Sequence, residues 1–94
     1  MSKKEEKTMK HIYQNDLKPF LTAKITDAVA QNHLTTDKAA ELLAIDSRSY
    51  SYIKAGTTMC STPVLVIYLT KLCPDVEQFI RDAKEVLERA EEKL

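Results

Sequence analysis

Between Leu34 and Gly56 the run LTTDKAAELLAIDSRSYSYIKAG leaves this chain little choice of fold. It holds two short helix-forming segments, each opened by a capping residue, with Ala44-Ile45 as the turn between them. Thr35 can cap the first, and Asp37 in its first turn suits the positive end of the helix dipole. Asp46 or Ser47 can cap the second, which the pattern carries to about Ala55. Gly56, the only glycine in the chain, stands just past that end, where a left-handed residue is usual. Ala40 is small where the two backbones must approach, since a longer side chain would push them apart. Leu42, Leu43, Ile45, Tyr50 and Ile53 fall where a small core needs apolar side chains. The spacing predicts two helices at a steep angle, a helix-turn-helix, whose second helix turns Ser47, Arg48, Ser51 and Tyr52 outward.

The rest of the chain supports an all-α reading. At 94 residues it is one small domain, with 44% apolar residues, one glycine and three prolines. Residues 1–10 are charged and poor in apolar anchors, so a flexible arm is expected there, followed by a single helical domain over 11–94. Pro19 is tolerated in a first helical turn and not in an interior, so the firm first helix is expected from Asp16–Lys18 to Asn32. Its apolar face is Leu17, Phe20, Leu21, Ile25, Ala28 and Val29. After a loop over 57–61, Thr62 can cap a fourth helix with Pro63 at its first position, continuing to Leu72. Pro74 then opens an amphipathic fifth helix reaching about Glu92. Glu77–Arg81, Lys84–Glu88 and Glu85–Arg89 have the spacing of ion pairs on its outer side.

Composition narrows the function classes. There is no run of about 18 apolar residues and no secretory signal, so a cytoplasmic protein with no membrane partner is expected. Cys60 and Cys73 have no histidines at ligand spacing, so neither a metal site nor a cofactor is expected. No nucleophile–base set or glycine-rich phosphate loop appears, and an enzyme is not expected. Fourteen basic residues balance fourteen acidic ones. Residues 1–57 carry nine Lys/Arg against seven Asp/Glu, and residues 58–94 carry five against seven. The half with the motif is therefore the more basic.

The run AAELLAIDSRSYSYIKAG, followed by a short loop and an STP helix start, resembles the Cro- and phage-repressor-like (Xre-type) DNA-binding domains. The resemblance covers roughly 17–79 and implies a five-helix, lambda-repressor-like domain with a helix-turn-helix and a C-terminal amphipathic helix. By position it implies base contacts from Ser47, Arg48 and Tyr52, with Ser51 beside them. It implies phosphate contacts from Thr36, Lys54, Gly56, Thr57 and Thr58. Three departures stand out. Ala44 occupies a turn position that is commonly glycine. Thr36 stands where glutamine is common. Val29 and Lys54 replace an arginine–glutamate pair.

Two functions follow as expectations. The first is a sequence-specific DNA-binding transcriptional regulator, a repressor, acting as a homodimer on double-stranded DNA with a palindromic operator. Its dimer interface would be the stripe Val76, Phe79, Ile80, Ala83, Val86, Leu87 and Ala90. The second is a protein-interaction module on the same scaffold, an antirepressor, antitoxin or inhibitor, which the zero net charge suits. A winged variant, suggested by the LTTxxAAELL opening, would put strands after Gly56. Pro63 argues against it.

Overall fold

The computed structural model describes residues 3–92, with the side chains of 10, 11 and 14–92. Its elements are α1 (Lys3–Gln31), α2 (Thr36–Leu42), α3 (Ser47–Lys54), α4 (Thr62–Ile67), a π-turn (Tyr68–Leu72) and α5 (Val76–Glu92). No strand occurs among the described residues, so the fold is all-α and the winged variant is set aside. No helix is long and apolar enough to cross a membrane among them.

The first helix corrects one expectation. It runs unbroken through Pro19 for 29 residues, so it starts at Lys3 and not near Asp16–Lys18. Lysine and glutamate, frequent in that segment, are good helix formers. Pro19 removes one rung, but Asn15 and Pro19 are both exposed, so the carbonyl left without an amide stays within reach of water. Positions 1, 2, 93 and 94 lie outside the described residues.

Each later helix starts on a side-chain cap. Thr35 accepts from the Lys38 amide at 3.2 Å and Asp46 from the Ser49 amide at 2.7 Å. Ser61, one residue earlier than expected, accepts from Val64 at 3.4 Å, and Asp75 accepts from Gln78 at 3.0 Å. Three helices end alike. His33, Ala44 and Gly56 have φ of 54°, 62° and 76°. After each, the next amide reaches back five residues: Leu34 to Val29, Ile45 to Ala40 and Thr57 to Tyr52, all at 3.0 Å. These are left-handed helix stops, and only the third uses glycine. The Ala44 turn therefore takes a conformation that disfavours a Cβ rather than avoiding it.

The core joins α1 (Leu21, Ile25, Ala28, Val29), α2 (Ala39, Ala40, Leu43), α3 (Tyr50, Ile53), Val64, Tyr68 and Leu72, and Phe79 of α5. Ala40 is 1% exposed, as the close approach of α2 and α3 requires, whereas Leu42 is 40% exposed and lies outside the core. Phe79 packs between rings, 5.4 Å from Phe20 and 5.8 Å from Tyr68.

The fourth helix stops at Ile67 and widens into the π-turn, where the Cys73 amide reaches back to Tyr68 at 2.8 Å. The Thr70 hydroxyl donates to the Val66 and Ile67 carbonyls across the change of winding. α5 then runs back along α1. Gln31 and Asp75 border one hollow, and Lys24 reaches Asp82 at 2.6 Å. Ten residues past Asp82 end α5, and ten before Lys24 is Gln14, so α1 projects beyond its neighbour from roughly that level.

Candidate nucleic-acid interface

The third helix is eight residues long and is held from behind by Tyr50 and Ile53, which are 1% and 5% exposed. A helix this short has little stability of its own in water. Its position is set by those two anchors, by the Asp46 cap and by the Gly56 stop. The Thr22 hydroxyl of α1 adds a bond to the Ile53 carbonyl at 3.1 Å.

With that side fixed, the opposite side is presented. Arg48 is exposed, and its Nε donates to the Tyr52 hydroxyl at 3.0 Å. The guanidinium carbon stands 5.9 Å from the centre of the Tyr52 ring. Tyr52 is 45% exposed. The two side chains therefore form one outward unit, a guanidinium held against a phenol. Ser51 is exposed, with its hydroxyl donating to the Ser47 carbonyl at 2.9 Å. Ser47 differs from the other three. It is half-buried, and its hydroxyl donates to Asp37 Oδ1 of α2 at 2.5 Å.

The second set of positions is more scattered. Lys54 is exposed at the C-terminal end of α3, where its charge suits the helix dipole. Gly56 is half-buried, and a Cβ there would meet nothing within 4 Å, so its role is conformational. The amides of Thr57 and Thr58 both point back to the Tyr52 carbonyl, at 3.0 and 3.4 Å. Those two amides are engaged within the chain, and both residues are exposed. Thr36 lies half-buried at the start of α2, remote in sequence from the Lys54 end of α3.

Electrostatically, Thr36 to Thr58 is balanced. Lys38, Arg48 and Lys54 stand against Asp37, Glu41 and Asp46, with Lys38 and Glu41 3.7 Å apart. The Ser49 amide and hydroxyl, helped by the Arg48 charge, hold the Asp46 carboxyl below its ordinary range. Asp46 is therefore ionised at neutral pH and places a negative charge at the start of α3.

The Asp37–Ser47 bond was not foreseen. Both residues are visible in the sequence as helix-start residues, but their meeting depends on the angle between α2 and α3. Also unforeseen is a shallow hollow between α1 and the end of α3. It is bordered by Asn15, Lys18, Pro19, Thr22 and Ala23 on one side and by Lys54, Ala55 and Gly56 on the other.

The apolar stripe of α5 divides. Phe79 and Ala90 are 6% and 0% exposed within the chain itself, so these two are already covered and are withdrawn from the expected dimer seam. Val76 and Ile80 are each 45% exposed, while Ala83, Val86 and Leu87 are half-buried. Of the three expected ion pairs on this helix, Glu85–Arg89 forms. Arg81 instead donates to Gln78 at 2.9 Å.

A second hollow, of about 160 Å³, lies between α1, the π-turn and α5, with Tyr68 and Cys73 in its wall. Burial first, then the Cys73 thiol and the Asp27 charge, push the Tyr68 hydroxyl well above its ordinary range. It stays protonated at any physiological pH. Cys60 and Cys73 are both free and half-buried. No group of three or more His, Cys, Asp or Glu able to hold a metal ion occurs among the described residues. Comparison with protein-family models, curated proteins and solved structures finds no match to this chain.

Proposed function

We propose that the chain is a helix-turn-helix DNA-binding regulator, a repressor, that places α3 in the major groove and acts as a homodimer. The observation that carries this reading is the pairing on α3 of a buried anchor side with an exposed Arg48–Tyr52 unit. A guanidinium on a short, rigid helix has the chemistry to bind guanine O6 and N7 in bidentate fashion. Tyr52 and Ser51 would contact neighbouring base edges, and Ser47, already bonded to Asp37, would assist from the helix start. Lys54 and the hydroxyls of Thr57, Thr58 and Thr36 would meet phosphate.

The exposed Val76 and Ile80, flanked by Ala83 and Leu87, suit a seam between two copies. That arrangement would set two α3 helices on successive major grooves, about 34 Å apart. Repression would be steric, through occupancy of a palindromic site.

A second reading, a protein-interaction module on the same scaffold, is favoured by one feature. Asp37 and Asp46 place carboxylates beside the outward side of α3, where a DNA partner would bring phosphates.

Selection of random duplex DNA by the purified protein separates the two. Enrichment of a two-half motif supports the regulator, and enrichment of nothing across low and moderate salt supports the protein partner. On an enriched site, Arg48→Ala should weaken binding by about 1–3 kcal/mol and relax base preference at one position. Lys54→Ala should weaken binding to all sequences alike. An equal loss on every sequence from Arg48→Ala would remove it from the reading role.

A further inference from the structure

Three hydrogen bonds on or beside α3 have directions fixed by the chemistry of their partners. The Ser47 hydroxyl lies 2.5 Å from Asp37 Oδ1, and a carboxylate oxygen only accepts, so Ser47 gives its proton to α2. The Ser51 hydroxyl lies 2.9 Å from the Ser47 carbonyl, which also only accepts, so its proton is committed too. Arg48 Nε lies 3.0 Å from the Tyr52 hydroxyl, and a guanidinium only donates. Tyr52 therefore accepts there and keeps its own proton to give elsewhere.

These directions divide the outward side of α3 into two rows. Ser47 and Ser51, four positions apart, stand one above the other, and so do Arg48 and Tyr52. The rows adjoin, about 100° apart around the helix axis. The serine row has committed both protons and offers lone pairs. The Arg48–Tyr52 row offers protons, from the two Nη groups of the guanidinium and from the phenol. All three bonds lie at the surface.

Base edges in the major groove carry the complementary groups. Guanine presents the acceptors N7 and O6 there, and thymine presents O4, whereas adenine N6 and cytosine N4 are donors. We infer that α3 selects a guanine with Arg48 and, beside it, a base bearing an exocyclic amine, adenine or cytosine, with Ser47, and that Asp37 of the neighbouring helix is the positioning residue that sets the second choice. This rests on the DNA-binding reading of α3 and adds to it the donor–acceptor pattern of the target. Asp37 need touch no base. By taking the Ser47 proton it fixes that oxygen as an acceptor, and its charge strengthens the bond the oxygen then accepts. A serine without that partner can turn its proton outward and meet guanine or thymine as well.

The test is selection of random duplex DNA by the wild type, Asp37→Ala and Ser47→Ala, followed by fluorescence anisotropy on single-position changes of the enriched site. The wild type should enrich a guanine adjoining an adenine or cytosine. Exchanging that second base for guanine or thymine should cost the wild type about tenfold in affinity and each variant less than about threefold. Both variants should keep the guanine. Asp37→Ala/Ser47→Ala should lose no more preference than Ser47→Ala alone, because one residue acts through the other. Ser47→Ala leaves the Asp46 cap of α3 in place, so its loss of preference is readable even where thermal melts show that Asp37→Ala weakens α2. An enriched guanine with no amino-bearing neighbour would overturn the role of the serine row and leave that of Arg48 standing. Full preference retained in Asp37→Ala, with affinity changed alike on every sequence, would overturn the positioning role of Asp37. Enrichment of nothing by the wild type would overturn the DNA-binding reading and this pattern with it.

Discussion

The third and fifth helices carry the same kind of sequence signal and meet different fates. Both have apolar residues at helical spacing, Tyr50 and Ile53 in α3 and Val76, Phe79, Ile80, Ala83, Val86, Leu87 and Ala90 in α5. In α3 the apolar side, Tyr50 and Ile53, is covered almost completely, and everything outward is polar apart from the Tyr52 ring. In α5 the apolar side is wider than the surface α1 offers it. Phe79 and Ala90 are covered, and Val76 and Ile80 remain exposed. Periodicity establishes that a helix has an apolar side, but what covers that side depends on the width of the neighbour. For α3 the neighbour fits and leaves a polar surface. For α5 the neighbour falls short and leaves an apolar one.

The contrast within α5 can be broken by single substitutions. Phe79→Ala should cost about 3–5 kcal/mol, because three rings pack together and a cavity would remain. Ile80→Asp, one residue along, should leave the monomer fold nearly unchanged and abolish self-association in sedimentation. If Phe79→Ala melts like wild type, the core assignment is wrong. If Ile80→Asp leaves the sedimentation unchanged, the exposed flank is no seam.

A smaller effect sharpens the account of the α2–α3 turn. Ala44 and Gly56 occupy equivalent left-handed positions, but only one is glycine. Ala44→Gly should raise stability by up to about 1 kcal/mol, the relieved strain being partly offset by glycine's greater freedom when unfolded. Gly56→Ala should lower it by about 1 kcal/mol through φ alone, since its Cβ would meet no neighbouring atom. For a domain of this size each change is worth roughly 4–8 °C in melting temperature. Equal shifts of the same sign at both positions would contradict the shared geometry.

These comparisons also show what was legible in the sequence. Caps, stops and the small Ala40 are local chemistry, so the bounds of α2 and α3 stood within a residue or so of their observed places. The start of α1 was hidden by Pro19, because the local rule weighs one lost rung and not a helix long enough to tolerate it. The division of the α5 stripe, the Asp37–Ser47 bond and the hollow joining Lys18 to Lys54 all depend on how separate helices meet. No local pattern encodes those distances. The outward set on α3 was legible because an eight-residue helix with two buried anchors has only one side left to present.

The most direct test follows the amide resonances of the protein as an enriched duplex is added in nuclear magnetic resonance. The largest perturbations are expected at Ser47, Arg48, Ser51 and Tyr52, with smaller ones at Lys54, Thr57 and Thr58. Perturbations confined to α5, or none on α3 at saturating DNA, would contradict a DNA-binding α3.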